Sequence, residues 1–274
     1  MPDSLALKPI LESHGMFIRF TDALGYDTQQ AIEKILPDPA SQTAPHAAKV
    51  LKQARQRLVL KIKAEGLPSG KAVAKLFPLR NPISRLRYKK YALKEFTNYQ
   101  EATARKICVP KVYAYLEKRH FGFVAGSGII IEWLEGQRDL LDIASNSEQG
   151  YAQAAQLGIP ALVAMYDAGA MHIDARDENI FLPAQDPNSG YCVIDWQYAS
   201  FHKPRSEWML EHLAAHYIRK APKDQCAALL DGWLVKLHKQ ARHHINFKSF
   251  SDRVAALLTA RQSVRARLQL RPAR

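Results

Sequence analysis

His172–Phe181 reads HIDARDENIF, and further along the chain Val193–Trp196 reads VIDW. In the first stretch an Asp is followed, five positions on, by an Asn. The second stretch closes a strand–turn–strand pattern with another Asp. Phosphoryl transfer uses this layout. One carboxylate orients the acceptor hydroxyl, while an amide oxygen and a second carboxylate hold the metal that bridges the phosphates. Asp174 is therefore the expected base, and Asn179 and Asp195 the expected metal ligands. Arg176, between them, is expected to place a guanidinium on the transferring group. Hard oxygen donors suit Mg2+, which takes its remaining ligands from phosphate and water. His172 is expected to brace the loop by hydrogen bonds. Alone, each of these residues fits a cap or turn equally well; the joint spacing favours the site.

Such a site also needs a cation on the nucleotide phosphates and an anion to hold that cation. Upstream, Arg57–Lys63 (RLVLKIK) alternates apolar and basic residues, the period of a half-buried strand. A turn over 65–70 and a second strand, Lys71–Phe77 (KAVAKLF), follow. Lys49–Lys52 reads as a preceding strand turning through Gln53–Gln56, which makes a three-stranded antiparallel sheet. Lys75 is the candidate cation, with Lys71 a competitor of the same parity. A helix is expected over Ser84–Lys106, with Tyr88, Tyr91, Ala92, Glu95, Tyr99 and Ala102 on one face. Glu95 is then an inward carboxylate that needs a partner to be buried at tolerable cost. Glu101, Lys94, Asn98 and Arg105 fall on the opposite, wet face. Strands follow at Lys111–Glu117 and Gly128–Leu134. Beyond Gly136 the pattern is helical, at 140–144, 148–157, 160–167 with Gly169 as stop, 206–220, 223–242 and 251–270. A hairpin, 180–182 with 191–194, interrupts it. A sheet with one helix, then helices with one hairpin, is α+β in two lobes and not a βαβ alternation. The expected domains are an N-terminal extension (1–44), an N-lobe (45–136) and a C-lobe (137–274).

Lys75, Glu95-Phe96-x-Asn98, Asp174…Asn179 and Ile194-Asp195-Trp196 together resemble the protein-kinase-like superfamily. The closest likeness is to its lipopolysaccharide core kinases, which act on heptose and Kdo. The resemblance spans about Lys49 to Lys220. It implies a two-lobed kinase fold, ATP and Mg2+ as cofactors, and a sugar hydroxyl of lipopolysaccharide core as acceptor. Lys75, held by Glu95, would bind the α/β-phosphates, and Glu132 and Trp133 in the segment Ile131–Leu134 would meet the adenine. The chain also departs from the kinase pattern. Gln53–Gln56 contains no glycine where a phosphate loop is expected, so backbone approach is less free, and Arg55 is the residue placed to compensate. Trp196-Gln197 stands where regulated kinases have Phe-Gly, and Ile173 follows His172.

The formal net charge of +13 on 274 residues points to a polyanionic partner. An acidic glycolipid and an anionic membrane surface fit this charge; nucleic acid is disfavoured. No apolar run is long enough to span a membrane, and the N-terminus lacks the layout of a signal peptide. Three scattered cysteines read as reduced, so the expected location is cytoplasmic, peripheral on the inner face of the inner membrane. Lys236–Arg274 carries a single acid, Asp252, and its apolar residues Val254, Leu257, Leu258, Val264 and Leu268 approximate one helix face. This tail reads equally as a membrane-surface helix or as a helix packed on the C-lobe. His212 and His216 are four residues apart but lack the metalloprotease order, and His238, His243 and His244 read as surface. The rival readings are a small-molecule kinase of the aminoglycoside or choline type and a non-catalytic pseudokinase or basic scaffold.

Overall fold

The computed structural model describes residues 11–259, apart from 14, 22–23, 42, 46–47, 55–56, 80, 82–89, 146–149, 224–225 and 227–228. The chain divides into two compact units, one formed by 1–100 with 110–135 and the other by 101–109 with 136–274.

The first unit is built on a seven-stranded antiparallel sheet in the order β1-β2-β6-β7-β5-β4-β3. Its strands are β1 (Leu11–Ser13), β2 (Met16–Phe20), β3 (Ala48–Ala54), β4 (Arg57–Lys63), β5 (Lys71–Pro78), β6 (Val112–His120) and β7 (Phe123–Glu132). The three strands at one edge of this sheet, β5-β4-β3, are the ones the alternation of RLVLKIK predicts. In β4, Leu58, Leu60 and Ile62 point inward and the residues between them are half-exposed or exposed. With Ala72, Ala74, Leu76, Ala114, Leu116 and Ile130 they build one apolar layer, joined by Ile32 of helix α1 (Tyr26–Glu33).

The described residues among the first 44 are no separate extension. They supply β1, β2 and α1, and Ile18, Phe20 and Leu24 are buried in the same layer. Helix α1 has Gly25 as its N-cap. The second difference is the β6–β7 hairpin. Its strands run past the expected ends and pair up to His120↔Phe123, because backbone pairing continues where the side chains turn basic and exposed.

The second sheet face carries Lys75. Helix α2 (Tyr91–Ala104) covers it, with the Phe96 and Tyr115 rings at 6.0 Å and Tyr91 edge-on to Phe77 at 6.3 Å. Coverage on both faces explains why β5 and β7 read as nearly continuous apolar runs. The expected helix start at Ser84, with Tyr88, lies outside the described residues.

The second unit is mainly helical: α3 (Leu140–Ser145), α4 (Gly150–Leu157), α5 (Ile159–Ala168), α6 (Glu207–Lys220), α7 (Leu234–Ala241) and α8 (Phe247–Thr259). A π-helical turn, Leu229–Trp233, precedes α7 and breaks the single helix expected over 223–242. Two short sheets hold the loops. One orders β11 (Cys192–Val193), β10 (Ile180–Pro183) and β8 (Gln137–Asp139), and the other pairs β12 (Ser200–Phe201) with β9 (Ala170–Met171).

Three surface expectations are overturned in this unit. His243 is buried, with Nδ1 2.9 Å from the Tyr166 hydroxyl and Nε2 3.6 Å from Glu211. His238 is half-buried, its Nε2 2.7 Å from the Ile245 carbonyl. Both are drawn inward by helices that close over them, so sequence polarity misplaced them. Arg105 is not on a wet face either. It pairs with Glu101 at 2.7 Å and donates to the Ala168 and His202 carbonyls at 2.7 and 2.8 Å. Asn98, beside it in the sequence reading, is buried. Of the basic tail, the described part is packed: Val254 is buried, and Arg219 of α6 donates to the Leu257 carbonyl. Val264 and Leu268 lie outside the described residues.

Candidate active site

In the first unit, β5 pairs with β4 on one side and β7 on the other, placing Lys75 opposite Val59 and Ile129. The strand alternation turns Lys75 onto the face covered by α2, where it is only 6% exposed. Glu95, four residues into α2, is fully buried, and its Oε1 lies 2.8 Å from Lys75 Nζ. Lys71 has the same parity but sits nearer the strand end, in a half-exposed pair with Glu135 at 2.8 Å. Burial therefore separates the two candidates: Lys75 is the internal cation.

Glu132, the last residue of β7, pairs with the residue directly before β6. Its N–H donates to the Lys111 carbonyl at 2.8 Å, and its Oε2 accepts from the Lys111 N–H at 3.1 Å. Trp133 carries the Lys61 ammonium 3.7 Å above its ring. Both are thus held by first-unit residues at the end of β7. Arg55 lies outside the described residues.

In the second unit, Gly169 ends α5 in the left-handed conformation at φ 71°. Strand β9 follows, then the HIDARDENIF loop with a 3-10 turn at Asp177–Asn179, then β10. His172 is the centre of this loop. Its Nδ1 accepts the Asp174 N–H at 3.2 Å, so the proton is on Nε2, which donates to the Ile194 carbonyl at 3.0 Å. Burial holds its pKa below 6.5, against the pull of the Asp195 and Asp174 carboxylates, and keeps the ring neutral. One imidazole thus ties the HIDARDENIF loop to the residue preceding the second Asp.

The other ties are equally short. The Ile194 N–H donates to the Asn179 carbonyl at 2.9 Å. Asn179 Nδ2 donates to the Asp174 carbonyl at 2.8 Å and reaches its carboxylate at 3.4 Å. That orientation fixes the amide and reserves Oδ1, the atom able to ligate a hard cation. Asp195 itself adopts φ 65° and ψ 52°, an uncommon left-handed backbone for a non-glycine residue and one that clusters at functional sites. Trp196 locks the turn, donating from Nε1 to the Val193 carbonyl at 2.9 Å, packing edge-on to His172 and stacking on Phe201.

Asp174, Asn179 and Asp195 are therefore brought together by one hydrogen-bonded loop. A carboxylate and an amide oxygen form a hard donor pair of the kind Mg2+ accepts. Among the described residues, no group of three or more His, Cys, Asp and Glu is set to hold a metal. Arg176 lies against carboxylates, 2.6 Å from Glu178 and 3.5 Å from Asp174. One residue of the loop escaped the sequence reading. Asp177 is buried, and that burial pushes its carboxyl up, partly offset by the Tyr151 hydroxyl. No local signal distinguishes it from an ordinary turn Asp.

No model of a known protein family and no curated protein matches this sequence. The fold, in contrast, is widely shared, with 1142 chains of solved structures matching it. One of them is WaaP, solved in complex with acyl carrier protein. Its TM-score is 0.56 over 88% of this chain and 94% of that chain, at 17% identity. The chain shares its fold with WaaP. The expected architecture, an antiparallel-sheet unit with one helix followed by a mainly helical unit, is the one observed. At this identity the likeness to WaaP carries the fold alone.

Proposed function

We propose that this protein is an ATP- and Mg2+-dependent kinase that phosphorylates a heptose or Kdo hydroxyl of lipopolysaccharide core. The observation that carries the reading is the loop in which His172, Asn179 and Ile194 hold Asp174 beside Asp195. The fold shared with WaaP and the buried Lys75–Glu95 pair support it.

In this reading Lys75 binds the α/β-phosphates, and Glu95 keeps its ammonium extended. Glu132 and Trp133 meet the adenine, and Arg55 contributes a phosphate contact that the glycine-free turn lacks. Asp195 and Asn179 hold Mg2+, which when bound neutralises charge on the phosphates. Asp174 accepts the proton of the acceptor hydroxyl as its oxygen bonds to the γ-phosphorus and the bond to ADP breaks. Arg176 turns from its carboxylate partners to the transferring group. The acceptor is an acidic glycolipid, in keeping with the net charge of +13, and the protein works at the cytoplasmic face of the inner membrane.

The test joins binding and transfer. Mg-ATP should raise the melting temperature of the native chain, and Asp195→Ala should abolish that rise. Labelled γ-phosphate should then pass to purified core oligosaccharide, with Asp174→Asn close to inactive. No thermal shift with the native chain would overturn nucleotide binding. Transfer to an aminocyclitol instead of core sugar would overturn the acceptor.

A further inference from the structure

Strands β6 and β7 are joined by the two-residue turn Phe121–Gly122, with His120 paired to Phe123. Both turn residues have positive φ, 47° for Phe121 and 76° for Gly122. A two-residue hairpin loop of this type strongly favours Asn-Gly or Asp-Gly, because L-residues with bulky side chains are strained there. Here a Phe occupies the strained position. The fold gives it no apolar pocket in return: Phe121 is 88% exposed and Phe123 67% exposed. Its ring contact is with His120, at 4.3 Å between centroids. A chain that holds two aromatic rings in water, one of them on an unfavourable backbone, is adapted to surroundings other than water.

The charge around the tip says which surroundings. Residues 118–123 read KRHFGF, two permanent cations and a histidine running into the aromatic pair. Arg119 is half-exposed, with its guanidinium stacked on Phe17 at 4.8 Å and its Nε 2.5 Å from the Glu117 carboxylate. Aromatic rings at a tip, with cations set two and three residues behind Phe121, match the layering of a bilayer. Rings lodge at the acyl boundary and cations meet anionic headgroups. The tip also extends beyond the neighbouring strand, since β5 ends its pairing at Pro78↔Gly126.

We propose that the Phe121–Gly122–Phe123 tip is a membrane wedge that inserts its two rings into the headgroup region of an anionic bilayer. This site belongs to the first unit and differs from the basic C-terminal segment. It does not depend on the kinase reading, since insertion requires no nucleotide.

The test is sedimentation of the full chain with vesicles of phosphatidylcholine alone, and of phosphatidylcholine mixed with phosphatidylglycerol. The native chain should sediment with the anionic vesicles and far less with the neutral ones. Phe121→Asn should lower the partition coefficient about tenfold or more, the scale of losing one buried ring. Asn suits the left-handed position, so its melting temperature should hold or rise while membrane binding falls. Phe123→Thr, in a regular strand position, should lower binding without unfolding the sheet. Binding to neither vesicle type would overturn the proposal and leave a protein surface as the partner of the tip. Native-level binding by both variants, or equal binding to neutral vesicles, would overturn it as well.

Discussion

Lys75 and Glu95 form a buried ion pair 2.8 Å long, and the sequence nominates both from opposite directions, the cation by strand position and the carboxylate by helix face. A buried pair contributes little net stability, but losing one partner strands the other charge at a cost of about 3–5 kcal/mol. Glu95→Ala should therefore lower the denaturant midpoint sharply. The double variant Lys75→Met/Glu95→Leu should recover most of that stability and still show no thermal shift with Mg-ATP. Full destabilisation in the double variant would mean that the site requires the charges for folding, not for the nucleotide. His172 makes a second residue-scale prediction. Burial lowers the pKa of His172, His202 and His212 below 6.5. Below that pH the unfolded chain takes up protons that the folded chain refuses, so stability falls as the solution is acidified through 6.5. Denaturation at pH 7.5 and 5.5 should show the native chain weaker at the lower pH. A His172→Asn variant should show a smaller difference. Geometry at His172 was open to the sequence only as a bracing role; its tautomer is set by which neighbours the fold brings to each nitrogen.

The element that carries the site is the run from α5 through β9 to the loop, and its pivot is Gly169. A Cβ there would lie 2.4 Å from the His202 carbonyl, and the residue holds φ +71°. Gly169→Ala should cost at least ~1–2 kcal/mol from backbone strain, with more from displacing the chain after β12. Loop activity should fall with it. Gly190→Ala, with nothing within 4 Å of the added carbon, is the matched control and should be near neutral. The helix stop at Gly169 and the hairpin from Ile180 were legible because turn chemistry is local. Strands β8, β9 and β12 were not. Each is two or three residues long and exists only because a distant strand supplies its hydrogen bonds.

At the scale of the whole molecule the excess of positive charge acts at a distance. If the acceptor is acidic, its transfer efficiency should fall as ionic strength rises past ~0.1 M, where the Debye length shrinks to about 10 Å. A dephosphorylated core acceptor should show a much flatter response, and equal slopes for the two would argue against an acidic substrate. The sequence by itself determined the α+β order, the antiparallel β3-β4-β5 run, the inward Glu95 and the Asp–Asn–Asp spacing, since periodicity, turn residues and fixed offsets are encoded within short windows. It nominated Lys75 without eliminating Lys71, because strand parity gives both the same face. The placement of residues 11–20 in the sheet, the burial of His243 and Asp177 and the exposure of Phe121 were likewise beyond it. Those depend on which surface is covered by which distant element, and coverage is a property of the packed chain. Lys75 became the internal cation only when α2 closed over the sheet and left Lys71 at its edge.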